Sequence, residues 1–146
     1  MIRVFVQNES GSDQKHLHDE KTVTYKETVT VSRAYPFPYG FILDTTSDDG
    51  DNLDCFVLTQ RRLKTGEIVE CEPVGLLEQI EDGDKDHNIL ARLADETPAI
   101  TEEMKATFRE FITHVFDHIP GKRIAVGQFL SKEAAESHIR ACSDSP

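Results

Sequence analysis

Short runs of β-branched and aromatic residues alternate with turn residues over the first two-thirds of the chain. The pattern predicts seven strands, at residues 3–6, 22–25, 28–32, 53–59, 68–71, 74–80 and 89–93. Glycine-containing turns separate several of them, at residues 49–52, 64–66 and 82–84. Because these connections are too short for helical crossovers, the pattern predicts antiparallel pairing in a small barrel or sandwich.

A helical period replaces this pattern after residue 101. Thr101 is a good N-cap, and two glutamates follow it at the positive end of the helix dipole. The helix should end before the Pro-Gly pair at 120–121. A last strand at 123–130 and a helix from Ser131 to about Ala141 follow. The apolar positions of the first helix share one face: Met104, Phe108, Phe111, Ile112, Val115 and Phe116.

Composition and charge narrow the classes of function. The chain has 146 residues, about one domain, and 27 acidic against 16 basic residues give a net charge of −11. Duplex nucleic acid and anionic membrane surfaces are therefore not expected as partners. No apolar run approaches the roughly 18–20 residues of a membrane span, and the N-terminus does not resemble a signal peptide. The spacing of Cys55, Cys71 and Cys142 is typical of reduced thiols, which predicts a cytoplasmic protein.

The negative charge is concentrated in two turns, at residues 48–54 and 81–86. Carboxylate oxygens are the ligands that Mg²⁺ prefers, so a magnesium site is one interpretation. Solvated turns on an acidic protein are the other, and the pattern alone does not decide between them. An EF-hand is excluded for the second turn, because His87 stands where that loop needs glycine and Leu93 where it needs glutamate.

Histidine pairs are weaker metal candidates. His114 and His118 have i, i+4 spacing on the predicted helix, but the glutamate of an HExxH motif is missing. These two are more typical of surface or interface groups. His16 and His18 would share one face of a strand.

Two sequence motifs resemble those of a known protein family. Residues 35–42, Tyr-Pro-Phe-Pro-Tyr-Gly-Phe-Ile, precede Asp-Gly-Asp-Asn-Leu-Asp at 49–54. Together they resemble the signature of family I soluble inorganic pyrophosphatases, which carry Tyr-Pro-x-x-Tyr-Gly-Phe/Tyr-Ile and then a DGDPxD-type motif. The similarity continues through Pro-Val-Gly at 73–75 into the second acidic turn, and is weaker over 105–130.

The resemblance implies one inorganic-pyrophosphatase-like domain over residues 1–146. The implied fold is mainly β (α+β), a small OB-like five-stranded antiparallel barrel with two C-terminal helices packed outside. The implied reaction is hydrolysis of pyrophosphate to two phosphates by a water activated by several Mg²⁺ ions. Members of the family are commonly dimers or hexamers, so a homo-oligomer is expected.

Matching the family motifs position by position gives the candidate site. Asp51 would accept the proton of the attacking water and also bind metal. Tyr39 and Lys15 would bind substrate phosphate. The implied metal ligands are Asp49, Asp51, Asp54, Glu81 and Asp86.

The departures from the family concern mostly its basic residues. Glu27 stands where the family has an arginine, Asn88 where it has a lysine, and Val115 and Phe116 where it has a Tyr-Lys pair; Gln7 replaces a glutamate. Two alternatives therefore stay open: a hydrolase of an organic phosphoanhydride on the same scaffold, and a non-catalytic metal- or phosphate-binding relative. Possible replacement cations are Lys15, Lys26, Arg33, Lys85 and Lys122.

Overall fold

A computed structural model describes residues 1–144 of the chain. The strands and helices within these residues are β1 (Ile2–Asn8), β2 (Gln14–Asp19), β3 (Thr24–Thr30), β4 (Tyr39–Ile42), β5 (Asp54–Val57), β6 (Ile68–Glu81), β7 (Asp84–Lys85), β8 (Asn88–Leu93), α1 (Glu102–His114), β9 (Ile124–Leu130) and α2 (Lys132–Cys142). No helix among these residues is long and apolar enough to cross a membrane.

Five strands close into a barrel in the order β1-β4-β5-β8-β6, because β6 also pairs with β1. The first half of β6 pairs with β1, and its second half pairs with β9. This closed barrel with two helices confirms the predicted mainly β fold class. The hairpin β2–β3 forms a separate two-stranded sheet.

One pairing differs from the antiparallel arrangement that the short turns predicted. β5 and β8 are parallel, with Cys55 opposite Ile89 and Phe56 opposite Leu90. The chain between them runs through β6 and β7, so a long strand makes the crossover that a helix usually makes in parallel pairs. The turn lengths did not predict the parallel pair, because each connection between consecutive strands is short.

Two predicted strand boundaries are also corrected. The segments 68–71 and 74–80 are one strand, β6, in which Pro73 lies at a register shift against β8. Proline is tolerated at such irregularities because no ladder hydrogen bond needs its missing N–H. The predicted strands 22–25 and 28–32 are replaced by β3 alone, which pairs with β2. The sequence Gln-Lys-His-Leu-His-Asp of β2 has no β-branched residue, which is why the pattern missed it.

Both helices pack on the barrel as the apolar periods predicted. Thr101 Oγ1 accepts a hydrogen bond from the Met104 N–H at 3.1 Å, and α1 buries Phe108, Phe111 and Ile112. The barrel residue Phe56 meets Phe108 with ring centroids 4.9 Å apart. This aromatic cluster forms one wall of the cavity described next.

Candidate active site

A cavity of about 400 Å³ opens where the barrel, the hairpin β2–β3 and the C-terminal end of α1 meet. The site residues predicted from the sequence all line it: Lys15, Tyr39, Asp49, Asp51, Asp54, Glu81 and Asp86. The departures from the family pattern line it as well: Gln7, Glu27, Asn88, Val115 and Phe116. The two acidic turns therefore face one cavity, and the residues that depart from the family pattern line the same cavity.

The ends of barrel strands position the inner carboxylates. Asp54 is the first residue of β5, and the parallel register places it opposite Asn88, the first residue of β8. Asp86 lies two residues before Asn88 and is fixed by a 2.9 Å hydrogen bond from its N–H to the Gln79 carbonyl. Glu81 is the last residue of β6. The parallel pairing of β5 and β8 thus explains how Asp54 and Asp86, which come from different acidic turns, reach the same cavity.

A closed loop between β4 and β5 carries the outer carboxylates. Asp49 Oδ1 accepts a hydrogen bond from the Asp51 N–H at 2.9 Å. The turn passes through Gly50 at φ +88°, a conformation that favours glycine. Thr45 and Asn52 are buried at the two ends of the loop, and both donate to the Ile42 carbonyl, at 2.6 and 3.0 Å. The loop is anchored to the barrel while its carboxylates stay exposed.

Two of the three inner carboxylates, Asp54 and Asp86, have pKa values raised well above their ordinary range. Burial raises the pKa of Asp86, and the neighbouring Asp54 and Glu81 raise it further. Burial also raises the pKa of Asp54, with Glu20 adding to the effect. Burial acts to raise the pKa of Glu81 as well, but hydrogen bonds with Asp86 and Lys122 outweigh it, so this pKa is lowered. Without bound cations, Asp86 therefore acts as a protonated partner of Asp54 and Glu81.

This donor set fits Mg²⁺ in the way that this ion usually binds. Within residues 1–144, no group of three or more His, Cys, Asp or Glu side chains is arranged to hold an ion by itself. Mg²⁺ is normally bound by one or two carboxylates, with water and substrate phosphate oxygens completing its shell. The carboxylate oxygens that line the cavity are the kind of ligand that such a hard ion prefers.

The structure does not bring the histidine pairs together as metal ligands. α1 ends at His114, so His118 lies beyond the helix, and the predicted i, i+4 pair on one helix is wrong. His114 Nδ1 contacts Asp117 Oδ2 at 2.8 Å, whereas His118 Nδ1 contacts Ser32 Oγ at 2.7 Å. His16 faces Thr28 Oγ1 at 2.7 Å, and the His18 ring packs against aromatic residues.

Of the possible replacement cations, three reach this region. Lys15 and Lys26 line the cavity. Lys122 makes an ion pair with Glu81, and its Nζ lies 4.6 Å from the centroid of the Phe116 ring. Lys15 Nζ lies 4.7 Å from the same centroid, so two ammonium groups gather on the residue that replaces the family's lysine. The other two lie elsewhere: Arg33 pairs with Glu110, and Lys85 lines a smaller pocket.

A neutral pair occupies the position of the second missing lysine. Asn88 Nδ2 donates to Gln79 Oε1 at 2.6 Å, and both side chains are buried. Both side chains are uncharged, so this part of the cavity wall carries no charge.

Sequence reasoning missed Glu20. It lines the cavity, and its Oε1 accepts a hydrogen bond from the Asn52 N–H at 3.1 Å. Burial and then the charge of Asp51 raise the pKa of Glu20 to about 7. Glu20 lies outside both acidic turns and outside every family motif, so no local signal could have identified it.

Comparison with known proteins establishes the relationship. The family model for inorganic pyrophosphatase matches residues 5–145. The chain belongs to the inorganic pyrophosphatase family. The inorganic pyrophosphatase of Sulfolobus acidocaldarius is 30% identical, over 96% of this chain and 88% of the relative. That of Nanoarchaeum equitans is 28% identical, over 98% of this chain and 96% of the relative.

Solved structures show the same fold. The inorganic pyrophosphatase from Thermus thermophilus superposes with a TM-score of 0.86 at 26% identity, covering 96% of this chain and 87% of that one. The enzyme from Neisseria gonorrhoeae superposes with a TM-score of 0.88 at 24% identity, covering 97% and 88%. The family and the OB-like barrel predicted from the motifs are confirmed, and the enzyme class of the family is inorganic diphosphatase.

Proposed function

We propose that this protein hydrolyses inorganic pyrophosphate to two phosphates with the help of several Mg²⁺ ions. The observation that carries the proposal is that residues from both acidic turns, with Tyr39 and Lys15, line one cavity. Pyrophosphate is highly anionic, and the carboxylates alone would repel it. Bound Mg²⁺ supplies the missing positive charge and makes water a stronger acid, so that hydroxide is available near neutral pH.

The residues of the chain divide the remaining work. Asp51 accepts a proton from the water that attacks one phosphorus atom, as the bond from that phosphorus to the bridging oxygen breaks. The bridging oxygen leaves on the second phosphate. Lys15 and Tyr39 hold phosphate oxygens in line for the displacement. The metal ions are held by Asp49, Asp51, Asp54, Glu81 and Asp86.

The decisive experiment compares phosphate release from pyrophosphate with Mg²⁺ and with EDTA. Asp51→Asn should lower turnover by about 10²- to 10⁴-fold, the usual contribution of a general base. Asp48→Asn is the matched control, because Asp48 is exposed in the same loop but does not line this cavity. Its turnover should stay near that of the wild type. Wild-type protein no faster than Asp51→Asn would refute pyrophosphate hydrolysis.

A second candidate is a hydrolase of an organic phosphoanhydride. The observation that favours it is the apolar wall that Ile112, Val115 and Phe116 give to the cavity. Such a wall could pack against an organic group. A panel of nucleoside and sugar diphosphates, assayed beside pyrophosphate, distinguishes the two, and inactivity on the whole panel would favour a metal- or phosphate-binding role.

We also propose that the protein is cytoplasmic and self-associates. The three cysteines are free, which suits a reducing compartment. Self-association is expected because members of the family are commonly dimers or hexamers. Light scattering at neutral pH and micromolar concentration tests the association, and a monomer there would contradict it.

A further inference from the structure

The Glu20 side chain connects the hairpin β2–β3 to the loop that carries Asp49 and Asp51. It follows directly after the end of β2, and its Oε1 accepts from the Asn52 N–H at 3.1 Å. Asn52 is the neighbour of Asp51 in sequence and is itself buried. The hairpin is a separate sheet, so this hydrogen bond joins an outer element to the proposed catalytic loop.

The surroundings of Glu20 supply no counter-charge at contact distance. It is partly buried and faces the same cavity as Asp49 and Asp51. The ion pairs formed within residues 1–144 do not include it. Placing a further carboxylate among others without a paired cation costs free energy, unless a bound cation balances it.

A second glutamate of the hairpin, Glu27, differs from Glu20 in burial and hydrogen bonding and serves as a comparison. Glu27 on β3 also lines the cavity, but it is exposed and makes no hydrogen bond to the loop at 44–52 within the described chain. On the neighbouring strand β1, Gln7 presents a neutral amide to the cavity. Glu20 is therefore the hairpin carboxylate that is held against the metal-binding side.

We infer that Glu20 is a sixth carboxylate of the magnesium-binding set, which both attracts the cation and fixes the loop of Asp49 and Asp51 through Asn52. This inference rests on the proposed function, because it assigns Glu20 to the same cations. It gives the hairpin a role in cation binding that the family motifs do not include.

Calorimetric titration with Mg²⁺ alone, without substrate, tests the inference. Glu20→Gln removes the charge but keeps an oxygen for the Asn52 N–H, so the fold should persist, which thermal melting in EDTA checks. Its dissociation constant for Mg²⁺ should rise by about tenfold, the lower range for residues that support a metal site. Glu27→Gln, which removes the same charge from the same cavity, should change it by less than about twofold, as for exposed charges.

Two further variants separate cation binding from loop positioning. Glu20→Asp keeps the charge and should bind Mg²⁺ more tightly than Glu20→Gln. If Glu20→Gln binds Mg²⁺ like the wild type while Glu20→Ala does not, Glu20 is only a structural tether and the inference is overturned. Failure of the proposed function has a different signature, since wild-type protein would then bind Mg²⁺ in a Glu20-dependent way without releasing phosphate from pyrophosphate.

Discussion

The carboxylate side of the cavity stands on the barrel, whereas its basic side stands on the hairpin and on the segment after α1. Asp54, Glu81 and Asp86 occupy or adjoin the ends of barrel strands, whose pairing fixes them. Lys15 and Lys122 lie on more peripheral elements and meet at Phe116. The barrel therefore holds most of the candidate metal ligands, whereas three of the departures from the family, Glu27, Val115 and Phe116, lie on the hairpin and after α1.

Among changes that compare the two sides of the cavity, the largest expected effect comes from Asp86→Asn, on the barrel side. An amide replaces a carboxyl group that is protonated in the metal-free protein, so the melting temperature in EDTA should not fall and should rise at high pH. Turnover with Mg²⁺ should fall by about 100-fold or more, because a metal ligand is lost. Equal losses of turnover and of stability in EDTA would contradict this assignment, and differential scanning fluorimetry beside the phosphate assay measures both.

A smaller effect is expected from Lys122→Ala, on the basic side. The KM for pyrophosphate should rise by about tenfold, since one charged contact to an anion is lost. Mg²⁺ affinity should change much less, because Lys122 offers no ligand to a cation. Lys105→Ala is the matched control: Lys105 also pairs with a glutamate and lies 5.6 Å from the centroid of the Phe129 ring. Its partner Glu102 does not line the cavity, whereas Glu81, the partner of Lys122, does.

An unchanged KM in Lys122→Ala would mean that the cations gathered at Phe116 do not replace the missing lysine. Steady-state kinetics at saturating Mg²⁺ decides this. The contrast between the two sides of the cavity would then be greater still, with the basic side reduced to Lys15 and Lys26.

The smallest effect is a pH dependence of the metal-free protein. Folding raises the pKa of Glu20 from 4.5 to about 7, and it raises those of Asp54 and Asp86 as well. At these three groups the folded state binds more protons than the unfolded state above pH 4.5, so the stability that they contribute is fully present at more acidic pH and is lost as pH rises through 7. The melting temperature in EDTA should drop by a few degrees between about pH 6 and pH 8.5.

Saturating Mg²⁺ should reverse most of that drop, because it binds the ionised carboxylates. The gain in melting temperature on adding Mg²⁺ should accordingly be larger at the higher pH. A gain that is larger at the lower pH would contradict the assignment of these carboxylates to the cation.

The outer part of the site could be predicted from the sequence because it is local. Asp49, Asp51 and the glycine between them form one short loop, and a motif within that loop was enough to assign both carboxylates. The meeting of Asp54 with Asp86 depends on the parallel register of β5 and β8, which the turn lengths misrepresented. The family motifs assigned both Asp54 and Asp86 to the site, whereas the hydrophobic pattern did not predict that they meet.

Glu20 could not be assigned to the site from the sequence, and the contact of the candidate cation Lys122 with Glu81 could not be derived from it, for a different reason. Glu20 lines the cavity and Lys122 contacts the lining residue Glu81, each from an element whose placement depends on tertiary packing, the hairpin in one case and the segment after α1 in the other. The strand β2 itself was missed because its residues have low strand propensity. Propensity and periodicity describe neighbours along the chain, and these side chains act on residues about 30 or more positions away.

The parallel pairing of β5 with β8 also has a consequence for how the protein folds. Such a pair has no hairpin to nucleate it, and its formation requires the intervening segment, including β6, to be largely in place. Closing these distant pairs is entropically slow, which places the chain among the slower folders for its size. Asp54 and Asp86 come together only at that late step. Recovery of tight Mg²⁺ binding during refolding should therefore report completion of the barrel, and not its first collapse.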